Sequence, residues 1–402
     1  MIQLRGPSIA AALLVDAILG EPPVTIHPVV LIGRAISVFE RRALSLEGAR
    51  RQRLTGLILA ATLPAFTYAL TRLVLRLPPP GLRWVFEVGL LSTSLSMRGL
   101  ALAALTVERE LKNGDLVAAR DRIGELVGRD TKHLTPGEVA RAAIESVAEN
   151  ASDGVVAPMF YGLLLGAPGA LAYKAINTLD SMIGHPQPPY TNLGWASARL
   201  DDLANLLPAR LTALLAAAVS GSTGEAAATL SSARQYGPLT RSPNAGWAEA
   251  AFAGALGLAL GGANVYGSIL REGPILGDGR PPEPADIRRA VRLMHKACLL
   301  LTALALAATF FHGAHGLDAA RTLSARPESF LDFSANINPL GAPEAALAAG
   351  AEALYGEAGR YPDLHYTELT AALARYLGVP AGTVLPTNGG AEALFLAARA
   401  AV

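Results

Sequence analysis

The chain has 402 residues, of which 51% are hydrophobic and only 17% charged, and its formal net charge is +1. That balance leaves no basic excess to displace counterions from a nucleic acid, and the single cysteine, Cys298, excludes an intrachain disulfide or an all-cysteine metal site. A charged fraction below the ~25% usual for soluble domains, gathered in blocks between long uncharged stretches, is what a bilayer selects.

At the N-terminus, Arg5 precedes a short apolar stretch, Ile9 to Leu19, which Asp16 interrupts. No small-residue cleavage pattern follows it, so the segment is expected to be retained. A Gly/Pro loop from Asp16 to Gly33 carries His27 and Pro28. Four later segments contain no Asp, Glu, Lys or Arg: Leu54 to Thr71, Gly154 to Tyr173, Ala250 to Leu270 and Ala297 to Leu317. Each reaches or approaches the ~20 residues needed to cross hydrocarbon. Val85 to Val107, with Arg98 inside it, and the short Leu211 to Gly224 are weaker candidates. The alternative is a large soluble protein whose apolar helices are wrapped on all sides.

The arginine-rich stretches Arg34 to Arg53, Glu108 to Arg141 and Arg271 to Lys296 are expected in the cytoplasm. Simple alternation of every candidate span does not put them there. At least one Ala/Gly-rich segment is therefore expected to be re-entrant, or buried without crossing.

Thr135, Pro136 and Glu138 spell a capped helix start, with the helix running to about Glu149. Arg141, Glu145 and Glu149 fall at successive i,i+4 positions and lead into Asn150, Ser152, Asp153 and Gly154. Salt bridges on a solvated face account for Arg141 and Glu145 equally well.

From Ala172 to His185, Lys174, Asn177, Thr178 and Ser181 share one helical face, with Asp180 and His185 nearby. Ionisable groups at membrane depth are costly and usually face a cavity, a partner or a substrate path. An interfacial turn with a snorkelling lysine is the alternative, although the chain has only four lysines. Between Trp195 and Arg210 a helix places Asp201 above Asn205 and Arg199 within reach of Asp202. Carboxylates beside an amide oxygen suit Mg2+ shared with substrate phosphates; a plain salt bridge explains Arg199 and Asp202 as well. Two Gly/Pro loops follow, Arg241 to Gly246 with Asn244 and Gly273 to Arg280 with Asp278.

After about Leu323 the chain reads as soluble α/β, with helices from Ala342 to Tyr355 and from Tyr366 to Leu377, the latter closed by Gly378 and Pro380. A short strand, Thr383 to Leu385, precedes a Gly-rich turn and a new helix from Ala391, an anion-binding arrangement. The expected fold class is mainly α: a polytopic helical membrane domain over residues 1–320, then a partial α/β segment over 325–402. No Walker loop, His-Glu-x-x-His pattern or nucleophile elbow occurs.

Six ordered blocks between about Leu13 and Leu317 resemble the adenosylcobinamide-phosphate synthase family of integral-membrane cobalamin biosynthesis proteins. They are Asp16 to Gly33, Glu149 to Gly154, Lys174 to His185, Arg199 to Asn205, Ser242 to Trp247 and Gly277 to Gly279. The resemblance implies ATP-dependent amide formation between a corrinoid propionate and (R)-1-aminopropan-2-ol phosphate, by a multi-pass protein of the cell membrane with its polar loops and tail in the cytoplasm. For that chemistry, residue type assigns Lys174, Arg199 and Arg210 as phosphate clamps. Asp153, Asp180, Asp201 and Asp202 become candidate Mg2+ ligands, and Glu149 the acceptor of the amine proton. His27, Asn150, Asn177, Ser181, Asn205, Asn244 and Asp278 are the expected substrate-binding groups.

The tail from about Phe330 resembles the start of threonine-phosphate decarboxylase, a pyridoxal-phosphate enzyme of aminotransferase fold. The matches are Asp332 to Gly341, Arg360 to Asp363 and Thr387 to Ala393. The resemblance implies a partial cofactor site at Tyr361, Gly390, Ala391 and Glu392. No lysine follows Lys296, so the Schiff-base amine is missing and the tail is expected to be inactive alone. The decarboxylase family supplies the amino-alcohol phosphate that the synthase family consumes, so such an enzyme is an expected partner, and fusion raises effective concentration. A permease whose polar stripes line a translocation path, and a scaffold without ATP chemistry, are the rival readings.

Overall fold

A computed structural model describes residues 5–266, 269–313 and 367–380, together with positions 344, 348 and 352. The chain divides into two units, Met1–Ser329 and Phe330–Val402.

The first unit is a helical bundle. Its helices are α1 (Gly6–Leu19), α2 (Pro28–Leu44), α3 (Ala49–Val74), α4 (Arg83–Ser92), α5 (Met97–Lys112), α6 (Leu116–Gly124), α7 (Pro136–Asn150), α8 (Ala157–Ile183), α9 (Trp195–Ala204), α10 (Leu206–Ala218), α11 (Thr223–Tyr236), α12 (Ala245–Leu256) and α13 (Pro284–Gly313). Four helical stretches are long and apolar enough to cross a membrane: Ala49–Val74, Pro80–Lys112, Pro136–Ile183 and Pro284–Thr309. On α3 the outward residues Leu54, Leu57, Ile58, Phe66, Leu70 and Leu73 are all exposed. A soluble protein does not leave so continuous an apolar face to water, which removes the wrapped-core alternative.

Within the bundle, contact is made by small residues. Ala140, Ala142, Ala143, Val147 and Ala148 of α7 are fully buried against α5, α12 and α13, as expected where backbones approach closely without a hydrophobic drive between helices. A second core joins Ile36, Leu59, Leu63, Leu179 and Leu193.

Three expectations for apolar segments are corrected. Ala250 to Leu270 is no span: α12 stops at Leu256 because Gly257 takes a left-handed φ of 66°. Two short hairpins follow, β1 (Leu260–Gly261) with β4 (Ile275–Leu276) enclosing β2 (Asn264–Tyr266) with β3 (Ile269–Arg271), both antiparallel. Gly154 to Tyr173 is not one straight crossing either. Inside α8, Gly166 adopts φ 72° and ψ −166°, and the helix doubles back. The run Val85 to Val107 is likewise broken between α4 and α5. The capped helix at Thr135 forms as expected, its hydroxyl accepting from the Glu138 amide at 3.4 Å while the Glu138 carboxylate accepts from the Thr135 amide at 2.7 Å.

In the second unit, α14 (Thr367–Leu377) is closed by Gly378 at φ 68°. Glu344, Ala348 and Glu352 are helical, in the segment expected to be so. The strand and Gly-rich turn, with Tyr361, Gly390, Ala391 and Glu392, lie outside the described residues.

Candidate active site

α7 does not end at Asn150 but passes through a π-helical turn, Ala151–Val156, into α8. Turns of this kind carry a surplus residue and are frequent at functional sites. This one is pinned from outside by Ser96, whose amide donates to the Gly154 carbonyl at 3.1 Å. Beyond it the reversal at Gly166 brings the second arm of α8 back beside the first, so that Tyr161 and Tyr173 stack with centroids 5.2 Å apart.

The two arms and α9 share one chain of hydrogen bonds. The Tyr173 hydroxyl donates to Asn205 Oδ1 at 2.8 Å and approaches the Asp153 carbonyl at 3.4 Å. Asn205 donates to Asp201 Oδ2 at 3.0 Å, and Asn177 reaches Asp201 Oδ1 at 3.5 Å. Lys174 Nζ donates to Asn177 Oδ1 at 3.4 Å. Its ammonium lies in the field of Asp153, Glu21 and Asp201, and Asp153 and Glu149 face Asp201 in turn. Lys174 and Asp201 are thus joined through Asn177 in one hydrogen-bonded polar cluster, with Asp153 in the electrostatic field of both. Burial pushes the Asp201 carboxyl up to about 7, reinforced by the Asp180 charge and opposed by the Asn205 and Asn177 amides.

His27, the N-cap of α2, lies in the field of Lys174. It is 8% exposed and caps α2, with Nδ1 accepting from the Val29 amide at 3.2 Å, while Nε2 lies 3.9 Å from Glu21. Burial lowers its pKa, with Glu21 opposing and Lys174 adding to the shift. On the other side, Asn244 donates to the Asp202 carbonyl at 2.7 Å and accepts from Arg210 at 2.8 Å, and the Arg210 guanidinium lies 4.7 Å from the centre of the Trp247 ring.

Other expected site residues stand differently. Arg199 is 69% exposed and pairs with Asp202 at 3.2 Å, the plain salt bridge. Ser181 and Asn150 bond within their own helices, to Asn177 O and Ser146 O, and Asp278 accepts from the Tyr236 hydroxyl at the end of α11. His185 is exposed and packs edge-on against Tyr190.

Adjoining Glu149 is a cavity of about 240 Å³ that sequence reasoning missed, lined by Arg129, Glu145, Ser146, Glu149, Glu249 and Asn264. Arg129, 6% exposed, pairs with Glu145 at 2.7 Å, and Glu145 also accepts from the Gly261 amide at 2.7 Å. Arg141 lies 3.6 Å from Glu145 and bonds the Gly261 carbonyl, so the charged helical face anchors the β-hairpin and is not a solvated surface. Burial and the Glu149 charge raise the Glu249 carboxyl well above its ordinary range. Glu249 follows the Ser242 to Trp247 block by two residues, and Glu21 lies inside the Asp16 to Gly33 block. Both were reachable as carboxylates next to polar loops.

Among the described residues no group of three or more His, Cys, Asp or Glu is arranged to hold a metal. The expected set of Asp153, Asp180, Asp201 and Asp202 is therefore not gathered as one cage; Mg2+ typically takes one or two carboxylates and completes its octahedron with phosphate oxygens and water. Asp201 and Asp153, two acids crowded together in a partly buried pocket, fit that ion, because a divalent cation would relieve their mutual repulsion.

Four helical stretches long and apolar enough to span a bilayer define a polytopic membrane protein. The chain belongs to the CobD/CbiB family: the model described as CobD/Cbib protein matches residues 9–294. It is 46% identical over 311 residues to the cobalamin biosynthesis protein CobD of Chromobacterium violaceum, covering 75% of this chain and 96% of that one. Against CobD of Klebsiella pneumoniae it is 42% identical over 301 residues, 73% of this chain and 94% of that one. Against CbiB of Salmonella typhimurium the identity is 41% over 305 residues, 74% and 95% of the two chains. No solved structure matches.

Proposed function

We propose that this chain acts in cobalamin biosynthesis as an ATP-dependent ligase of the cell membrane, joining a corrinoid carboxylate to (R)-1-aminopropan-2-ol phosphate. Family membership supports the pathway. What supports the chemistry is the hydrogen-bonded line from Lys174 through Asn177 to Asp201, with Asp153 in the field of both.

A carboxylate is a poor acyl donor until one oxygen is converted to a leaving group. In this reading a corrinoid carboxylate oxygen attacks the terminal phosphorus of ATP, forming an acyl phosphate and releasing ADP. The amine nitrogen then attacks the acyl carbon and phosphate departs. Lys174 offsets charge on the transferring phosphoryl group. Asp201 and Asp153 would hold Mg2+, which when bound draws charge off the phosphate oxygens. Glu149, solvent-accessible between this pocket and the adjoining cavity, takes the ammonium proton. Asn177 and Asn205 orient Asp201. The threonine-phosphate decarboxylase partnership belongs to the same proposal, because that reaction would deliver the amine substrate.

Purified protein in detergent, given a corrinoid acid, ATP, Mg2+ and the amino-alcohol phosphate, is expected to yield amide and ADP in equal amounts. Lys174→Ala is expected to lower turnover by about a hundredfold or more without loss of folded protein. Ligand binding by the wild type with no ATP-dependent product would favour a permease instead.

A further inference from the structure

At the tip of the α8 hairpin lies a second cavity, of about 530 Å³, on the molecular face formed by the end of α3 and the start of α4. Its charged wall consists of Arg5, Arg72, Arg76, Arg83 and Glu87, with the Tyr68 side chain beside them. Glu87, the one carboxylate in the lining, is bonded to Arg5. Among the described residues, Arg72, Arg76 and Arg83 have no carboxylate partner, and Arg83 donates only to the Pro78 carbonyl, at 3.3 Å. Three guanidiniums therefore line one recess with no counter-charge of their own.

The floor is built. Gly166 has φ 72°, and a Cβ on it would collide with both the Arg5 guanidinium and the Glu87 carboxylate. The reversal thus lets the Arg5–Glu87 pair sit against the hairpin backbone, which takes Glu87 away from the other arginines.

The position of the recess selects its ligand. Arg72 occupies the last turn of the bilayer-length α3, which puts it where hydrocarbon gives way to headgroups. Trp84 and Phe86 beside it are exposed, as are Leu73, Leu77 and Leu82, the interfacial rim expected at headgroup level. Guanidinium forks match phosphate oxygens, and a lipid phosphodiester at this depth keeps its acyl chains on the apolar rim.

We propose that this recess binds the phosphodiester headgroup of an anionic lipid of the surrounding bilayer. The site is independent of the Lys174 pocket, which is built from other residues.

The test is native mass spectrometry of the full chain in detergent with added phosphatidylglycerol or phosphatidylcholine. Wild type is expected to retain phosphatidylglycerol at least about tenfold better than phosphatidylcholine, with retention falling as salt rises, since exposed charges are screened. Arg72→Gln/Arg76→Gln, at two exposed positions, is expected to abolish the preference; if that variant does not fold, the lipid preference and salt dependence of the wild type decide alone. Equal retention of the two lipids, an unchanged preference in the double variant, or inorganic phosphate competing as well as the lipid would each overturn the proposal.

Discussion

Tyr161 and Tyr173 stack with ring centroids 5.2 Å apart, although on one continuous helix those positions would lie about 18 Å apart. Their contact measures how completely α8 folds back at Gly166. It also brings Asp153, in the π-turn that leads into the first arm, into the field of Lys174, on the second.

Gly166→Ala should break this arrangement. The added Cβ would meet Arg5 and Glu87 in a left-handed backbone, and strain of that kind costs about 1–3 kcal/mol before any steric term. Thermal unfolding in detergent should fall by several degrees, and turnover should fall with it. Unchanged values for both would mean that the reversal is not needed.

Tyr173→Phe removes the hydroxyl that orients Asn205 and leaves its buried amide oxygen without that donor, at a cost of about 1–3 kcal/mol. Because Asn205 steadies Asp201, the loss is expected in turnover at saturating corrinoid as well as in stability. A change in stability alone would confine Tyr173 to packing.

Burial pushes the Asp201 carboxyl up to about 7 in the fold, against about 3.9 in an unfolded chain. A carboxyl raised on folding favours the native state fully below about pH 4 and loses that contribution as pH climbs through about 7. Without Mg2+, wild-type stability should therefore decline between about pH 4 and pH 7 more steeply than that of Asp201→Asn. Added Mg2+ should recover stability at the alkaline end in the wild type and much less in the variant. Parallel profiles with and without Mg2+ would remove Asp201 from the metal assignment.

Glu145→Ala leaves Arg129 buried and unpaired and frees the Gly261 amide. Breaking a buried pair by deleting one partner costs about 3–5 kcal/mol. Hydrogen exchange at β1 should quicken together with the drop in melting temperature; an unaltered β1 would show that the hairpin is held by other contacts.

Local chemistry was legible in the chain and long-range geometry was not. Thr135, Pro136 and Glu138 announce their helix because a cap is satisfied within one turn. Lys174 and Asn177, and Asp201 and Asn205, could be paired from helical spacing alone. The α8 hairpin was hidden inside an uncharged run, although Gly166-Ala167-Pro168-Gly169 carried turn residues; length and apolarity outweighed them. Glu21 in the field of Lys174 and Tyr173 bonded to Asn205 join elements distant in sequence, which no periodicity encodes. Arg199 was over-read, since its i,i+3 spacing to Asp202 is satisfied by the exposed salt bridge it makes.

The π-turn at Ala151–Val156 makes chain length itself a specification. Deleting any one residue there would let an ordinary α-helical ladder close, yet would swing every downstream side chain by about 100° and draw it back by about 1.5 Å. Tyr161 would leave the Ala204 carbonyl that it reaches at 2.9 Å. The stretch from Thr135 to Gly166 works as a ruler whose divisions are counted in whole residues, so this segment should accept substitutions far more readily than it accepts any change in length.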